Sequence, residues 1–389
     1  MKILVLSWEF PPRIVGGIAR HAAELYPELV KLGHEVHLIT VEFGQAPPYE
    51  IVEGIKVYRV SVTPGIDFFQ WIAHMNESMG DRGGKLIRTE GSFDIIHAHD
   101  WLVGDAAVAL QHHFKLPLIV TIHATEAGRH NGLHTKTQQY IGQKEVHLTH
   151  HAWRVIVCSH YMRQEITHSL RIPWDKINVI YNGVRAEKKC IPVDFDARQF
   201  RRRFAADGER IIYYVGRLTY EKGISVLLNA APRVFAEMKN QAKLVIIGVG
   251  TAEELKAQAW HLGIWDKCYF TGFMSDMDLD RFQTIADCAV FPSLYEPFGI
   301  VVLESFAAKV PVVVSDAGGL PEIVRHGETG IVTSRNNPHS LSAGILEILQ
   351  KPSLGEQLVE SAYLDLCTRF NWSGLAQQTE LIYKDISAE

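Results

Sequence analysis

Two stretches of this chain repeat one layout, and that repetition limits its fold more than any other feature. In the first, an apolar strand over residues 3–6 runs into a loop holding Pro11, Pro12, Gly16 and Gly17. A helical pattern over 18–32 follows, stopped by Gly33, and a second strand covers 35–40. In the second, residues 211–215 form the strand and the loop holds Gly216, Arg217, Lys222 and Gly223. The helical pattern then reaches about Met238, and a strand over 244–247 closes the unit. Each is a βαβ unit with glycine at the strand-to-helix turn. Further strands are expected at 95–97, 118–122, 155–158 and 179–181, and again at 268–271, 288–291 and 310–315. Strands alternating with helices imply parallel sheets covered on both faces. The expected fold class is therefore α/β, with two doubly wound Rossmann-like domains. Ligands of such sheets sit beyond the C-terminal strand ends, and two such edges facing each other would place the site in a cleft between domains.

A length of 389 residues suits two domains. The boundary is expected near 185–196, a polar stretch with Lys188-Lys189 and Pro192 after Asn182-Gly183, giving domains 1–190 and 191–369. Apolar residues make up 47% and charged residues 21%, which excludes disorder as the main theme. A net charge of −5 argues against nucleic acid as a partner, which calls for a concentrated basic face. Residues 1–190 nevertheless hold 20 Lys and Arg against 19 Asp and Glu, and 16 of the 19 histidines. The five cysteines are scattered without C-x-x-C spacing, as expected of reduced thiols in the cytoplasm. The first apolar run is short and broken by Glu9, so no signal peptide is expected. No run approaches the ~18 apolar residues of a membrane span, leaving only peripheral contact with a membrane.

Three constellations carry chemistry. Arg217 and Lys222 bracket a turn that opens a helix, where backbone N–H groups add partial positive charge. That combination fits a diphosphate, although a surface Arg and Lys near a turn would look the same. Gly16-Gly17 precedes a helix in the other half, but no G-x-G-x-x-G follows the first strand, and Glu253 replaces the third glycine after Gly248-Val249-Gly250. A nicotinamide-dependent dehydrogenase is thereby disfavoured. The run from Glu296 through Pro297, Phe298, Gly299, Ile300 and Val301 to Glu304 puts one carboxylate in a loop and another one turn into an apolar helix. Acids among apolar residues are costly without partners; here they would accept from sugar hydroxyls while N–H groups meet phosphate oxygens. His97, His99 and Asp100 end one strand and His123 the next, as candidates for the ligand cleft; a metal there is disfavoured, because no matching cysteine or acidic set completes a site. His147, His150 and His151 lie at helical spacing and read as surface histidines.

On these residues the chain resembles the family 4 retaining glycosyltransferases with the GT-B fold, over nearly its whole length. The resemblance rests on Pro11-Pro12 with Gly16-Gly17, His97-Ala98-His99-Asp100-Trp101, Gly216-Arg217 with Lys222-Gly223, and Glu296 through Glu304. Gly318-Gly319-Leu320-Pro321-Glu322 and Phe370-Asn371-Trp372 match too. It implies that Arg217 and Lys222 hold the donor diphosphate, Glu304 binds the ribose and Glu296 contacts the transferred hexose. Backbone from Phe298 through Gly299 and Ile300 to Val301 would meet hexose and phosphate, Met274 would lie near the base, Gly17 would approach the phosphate, and His123 would face the sugar. Glu296, His123, Arg217 and Lys222 form the implied catalytic set, with no cofactor or metal required. The last helix would cross back, assigning 370–389 to the N-terminal domain.

One departure bears on the donor. Glycogen synthases using ADP-glucose carry Lys two residues before the Gly-Gly; here Ile14 stands there, with Arg13 displaced by one. The expected donor is a UDP-sugar, with UDP-glucose as the choice. The expected acceptor is a saccharide or lipid-linked oligosaccharide in polysaccharide biosynthesis, with the enzyme in the cytoplasm or at the inner membrane face. The rivals are an ADP-glucose polymer synthase, an inverting transferase using His99 or His123 as base, a sugar-nucleotide epimerase, and a catalytically silent nucleotide-sugar-binding scaffold.

Overall fold

The computed structural model describes residues 1–186, 191–192 and 194–386. Cys190 and the Lys188-Lys189 pair of the expected boundary lie outside the described residues. The chain divides into two compact units, Met1–Gly183 with Trp372–Glu389, and Val184–Asn371. The first division thus falls at 183/184 rather than 190/191, because Val184 already donates its N–H to the Phe370 carbonyl within the second unit (3.2 Å).

Unit 1 holds an eight-stranded sheet. Its strands are β1 (Lys2–Leu6), β2 (Glu35–Val41), β3 (Tyr49–Val52), β4 (Ile55–Val60), β5 (Ile95–His99), β6 (Leu118–Ile122), β7 (Arg154–Val157) and β8 (Ile177–Val179). Their order is β3-β4-β2-β1-β5-β6-β7-β8. All neighbours pair in parallel except β3 with β4, which corrects the expectation of purely parallel sheets. Glu53 (φ 47°) and Gly54 (φ 86°) form a two-residue link whose left-handed backbone suits a tight hairpin. β8 begins two residues before its expected position, because buried Ile177 pairs with Val155 and sets the register.

The helix Gly17–Lys31 turns Ile18, Ala19, Ala22, Leu25, Tyr26 and Leu29 inward. The C-terminal helix Trp372–Ile386 packs beside it and adds Trp372, Leu375, Ala376 and Tyr383 to the same core. Burying a large apolar side chain contributes roughly 1.5–3 kcal/mol, so this helix is part of unit 1's stability and not a tail.

Unit 2 holds a six-stranded parallel sheet of β9 (Arg210–Val215), β10 (Ala242–Ile247), β11 (Cys268–Gly272), β12 (Cys288–Phe291), β13 (Val312–Ser315) and β14 (Ile331–Thr333). The order is β11-β10-β9-β12-β13-β14. β14 escapes sequence reading because three residues carry no periodicity. Among the described residues, Cys268, Cys288 and Cys367 are free thiols. Among the described residues, no helix is long and apolar enough to cross a membrane.

One buried acid gives the fold a pH dependence. Glu145, on the helix Lys136–His151, is buried, accepts the Glu126 N–H (2.8 Å) and, among the described residues, leaves its second oxygen without a partner. Burial pushes its pKa up to about 8. A carboxyl whose folded pKa lies above its unfolded value contributes stability that is complete below the unfolded value and lost as pH rises through the folded one. Stability should therefore fall between about pH 4.5 and 8 through this group. Glu145→Gln, which stays neutral, should flatten that fall, and thermal melts of both proteins from pH 5 to 9 check it.

Candidate functional site

In each sheet the strand order reverses beside its first strand: β1 lies between β2 and β5, and β9 between β10 and β12. Loops leaving neighbouring strands at such a point diverge to opposite faces and leave a crevice at the C-terminal edge. The motif loops of unit 2 leave β9 and β12.

The loop after β9 carries Arg217, Lys222 and Gly223. Tyr214 anchors it, donating its hydroxyl to the Arg217 carbonyl (2.8 Å). The backbone N–H groups of Leu294 and Tyr295 both donate to the Glu221 carbonyl (2.8 and 3.1 Å), so this loop and the one after β12 are joined. The join is close: at Gly223 (φ 68°), a Cβ would run into the Pro292 carbonyl oxygen. Only glycine meets both conditions.

This approach brings Lys222 Nζ to 2.7 Å from Glu296 Oε2, with side chains only 19% and 11% exposed. Ser293 Oγ lies 3.4 Å from the same oxygen. The Glu296 backbone is held in turn by the Gly318-Gly319 turn, where Gly319 donates to the Glu296 carbonyl (2.9 Å). Arg217 is half-exposed and pairs with Glu221 at 3.3 Å. Exposed pairs of this kind contribute about 0–1 kcal/mol, so an incoming anion can take the guanidinium over.

Gly299 (φ 115°) precedes the helix Ile300–Ala307, and no side chain caps it. Its first N–H groups have no partner within the helix. Val302, Leu303, Ser305 and Phe306 are buried, whereas Ile300, Val301 and Glu304 are only partly covered. Glu304 thus emerges on the same face as the helix's first turn. The Tyr213–Ser305 hydroxyl contact (3.0 Å) ties the opposite face to β9. The structure therefore gathers Arg217, Lys222, Glu296, Phe298, Gly299, Ile300, Val301 and Glu304 around one strand reversal. Met274 stands apart, half-buried in the loop after the edge strand β11.

Three Asp-x-Asp spacings also occur in unit 2, Asp194 with Asp196, Asp276 with Asp278, and Asp278 with Asp280. Asp196 caps the helix Ala197–Arg201 by accepting from the Gln199 N–H, and Asp278 accepts from the Ser275 hydroxyl (both 2.9 Å). Both contacts belong to helix starts.

Gly17 and His123 belong to unit 1. Gly17 is exposed at the first position of its helix. Sequence reading missed that Glu9 serves this loop: its buried carboxylate accepts from the Val15 and Gly16 N–H groups (2.6 and 2.9 Å). Burial raises its pKa, and those hydrogen bonds oppose the rise. His123 follows β6, and its N–H donates to Asp100 Oδ1 (2.7 Å). Burial raises Asp100 to about 6 and lowers His123 to about 3. His99 Nδ1 meets His123 Nε2 (3.0 Å), and His99 Nε2 meets the Tyr26 hydroxyl (2.5 Å). His97 turns to Tyr383 (2.6 Å) and Thr121 (2.8 Å) instead. His21 also joins this group, with its ring centroid 4.8 Å from that of His123. It lies four residues beyond Gly17, one helical turn on, and that spacing was the available signal. His147 and His150 are exposed.

Residues 15–188 match the family described as Glycosyltransferase Family 4, and residues 196–365 match Glycosyl transferases group 1. An uncharacterized glycosyltransferase of Methanocaldococcus jannaschii is 38% identical over 99% of this chain and 98% of its own. A glycogen synthase of Mycobacterium tuberculosis is 34% identical over 98% of this chain and 94% of its own. Among solved structures, the sucrose-phosphate synthase of Thermosynechococcus elongatus superposes with a TM-score of 0.84 at 23% identity, covering 100% of this chain and 99% of that one. HepE of Anabaena, solved in complex with UDP-glucose, gives 0.76 at 20% identity with full coverage of both chains. With two Rossmann-like sheets whose motif loops leave the strand reversals, and full-length relatives at this identity, the chain belongs to glycosyltransferase family 4, has the GT-B fold, and is a glycosyltransferase.

Proposed function

We propose that this enzyme transfers glucose from UDP-glucose, with retention at the anomeric carbon, to a saccharide or lipid-linked oligosaccharide acceptor in polysaccharide biosynthesis. The observation that carries the reading is the Lys222–Glu296 pair at the β9/β12 reversal. A diphosphate entering there competes for Lys222 and Arg217 and meets the uncapped helix at Gly299. Glu296, released from Lys222, then accepts from hexose hydroxyls. As the anomeric C–O bond breaks, the leaving diphosphate gains negative charge, which both cations and the helix N–H groups stabilise where it develops. These groups supply the compensation, so the reading assigns no metal to the diphosphate. Front-face attack follows, with a leaving phosphate oxygen taking the acceptor's proton. Glu304 binds the ribose, Met274 lies near the base, Gly17 approaches the phosphate and His123 faces the sugar.

HepE, solved with UDP-glucose, supports the donor. So does Arg13, whose guanidinium lies over the rings of Trp8, Trp71 and Phe43, 5.2, 5.6 and 6.0 Å from their centroids. Held among aromatic rings, it does not replace the lysine of the ADP-glucose enzymes. A lipid-linked acceptor and peripheral membrane contact draw support from exposed Ile66 and Phe68. The second reading, an ADP-glucose-dependent polymer synthase, is favoured by the relation to the mycobacterial glycogen synthase.

Purified protein offered UDP-glucose or ADP-glucose, with and without EDTA, tests the reading. Release of UDP, insensitive to EDTA, and a product whose anomeric proton keeps the donor's configuration are expected. A preference for ADP-glucose would establish the second reading, and turnover of neither donor would sink both. Glu296→Ala should lower turnover about 10²-fold or more while UDP affinity by calorimetry stays near wild type. Loss of UDP binding would contradict the hexose role.

A further inference from the structure

Unit 1 contains three imidazoles arranged as a ligand set. His21 comes from the helix Gly17–Lys31, His99 from the end of β5 and His123 from the residue after β6. One ring nitrogen of each lies within 4.8 Å of the others.

For His21 and His99, the nitrogens facing away from this group are already engaged. His21 Nδ1 meets Asn182 Oδ1 at 2.7 Å, which makes Nδ1 the donor and leaves the lone pair on Nε2. That Nε2 is buried and, among the described residues, has no hydrogen-bond partner. His99 Nε2 is 2.5 Å from the Tyr26 hydroxyl, which can accept its proton; Nδ1 then accepts from His123 Nε2–H (3.0 Å), and a cation binding between them displaces that proton. A second-shell partner on the far nitrogen is how metal-bound histidines are oriented. A buried acceptor with no donor costs about 1–3 kcal/mol, and a cation at the common point would remove that cost for His21. His97, with both nitrogens bonded elsewhere, is not in the set.

We propose that His21, His99 and His123 form a binding site for a zinc-class divalent transition metal, with three neutral imidazole ligands and an open fourth position. All-nitrogen ligation selects Zn²⁺, Co²⁺ or Ni²⁺ over Mg²⁺ and Ca²⁺, which prefer oxygen. Occupancy ties the helix start after Gly16-Gly17 to the ends of β5 and β6.

The site is tested without a sugar nucleotide, so its failure leaves the transfer reading intact. Protein stripped with EDTA and dialysed is titrated with Co²⁺, read by visible absorption, and then with Zn²⁺ as competitor. One equivalent of Co²⁺ with an intense tetrahedral spectrum, displaced by Zn²⁺ and unaffected by excess Mg²⁺, is expected. His21→Phe, which keeps a ring in the space, should abolish the spectrum. Asn182→Ala, which keeps all three ligands, should weaken affinity about 10–100-fold. His147 and His151, with ring centroids 4.6 Å apart, form the competing surface site. The proposal is overturned if Co²⁺ does not bind, if the spectrum survives in His21→Phe, or if His147→Ala/His151→Ala removes it.

Discussion

Lys222→Ala is expected to lower kcat/KM with the sugar-nucleotide donor by about 10²–10³-fold, the size of a lost electrostatic contact to developing charge. It should also destabilise unit 2. Among the described residues, the partner it leaves behind, Glu296, is 11% exposed at its side chain and keeps Ser293 Oγ at 3.4 Å. Truncating one partner of a buried pair costs about 3–5 kcal/mol, because the remaining charge is desolvated and uncompensated; residual exposure on both sides moves the expectation to the lower end. The two effects separate in a double variant. Lys222→Ala/Glu296→Gln removes the stranded charge and should recover most of the stability, yet turnover should stay at or below that of the single variant. Steady-state kinetics with thermal melts of all three proteins check this. Recovery of turnover in the double variant would show that Lys222 acts only by neutralising Glu296.

Gly223→Ala should be strongly destabilising. At φ 68° a non-glycine residue costs roughly 1–2 kcal/mol. The added Cβ also meets the Pro292 carbonyl, a backbone atom that cannot rotate away, and overpacking of this kind adds about 1–3 kcal/mol. A total near 2–5 kcal/mol is expected. Gly33→Ala is the control, since its φ of 90° carries the conformational cost while nothing lies within 4 Å of the added carbon. Urea melts of both variants should show the difference. Equal losses would mean that the β9 and β12 loops are not in the tight contact described.

The βαβ units were legible because apolar runs, glycine turns and helical spacing are local signals. β6 and β12 were placed to the residue, and β1, β2, β5, β9, β10 and β11 within one or two. The hairpin of β3 and β4 was not, although Glu53-Gly54 between two apolar-rich runs was a usable turn signal. Arg217, Lys222, Glu296 and Glu304 could be nominated from residue type and position after a strand. Their pairing could not, since 74 residues separate Lys222 from Glu296. Glu9 was passed over as a break in an apolar run, but it turned out to hold the Gly-Gly loop. His21 looked like an ordinary helix residue until β5 and β6 supplied its neighbours.

By itself the sequence determined the two α/β units, the loops that carry charge and the family to which the chain belongs, because each is encoded in contiguous periodicity and spacing. Only the tertiary structure decided that Lys222 is bonded to Glu296, that Arg13 is lodged among aromatic rings, and that three histidines from separate elements share one buried point. Those are contacts between segments distant along the chain. Strand order brings them together, and strand order follows from how the apolar faces pack, which no local pattern specifies.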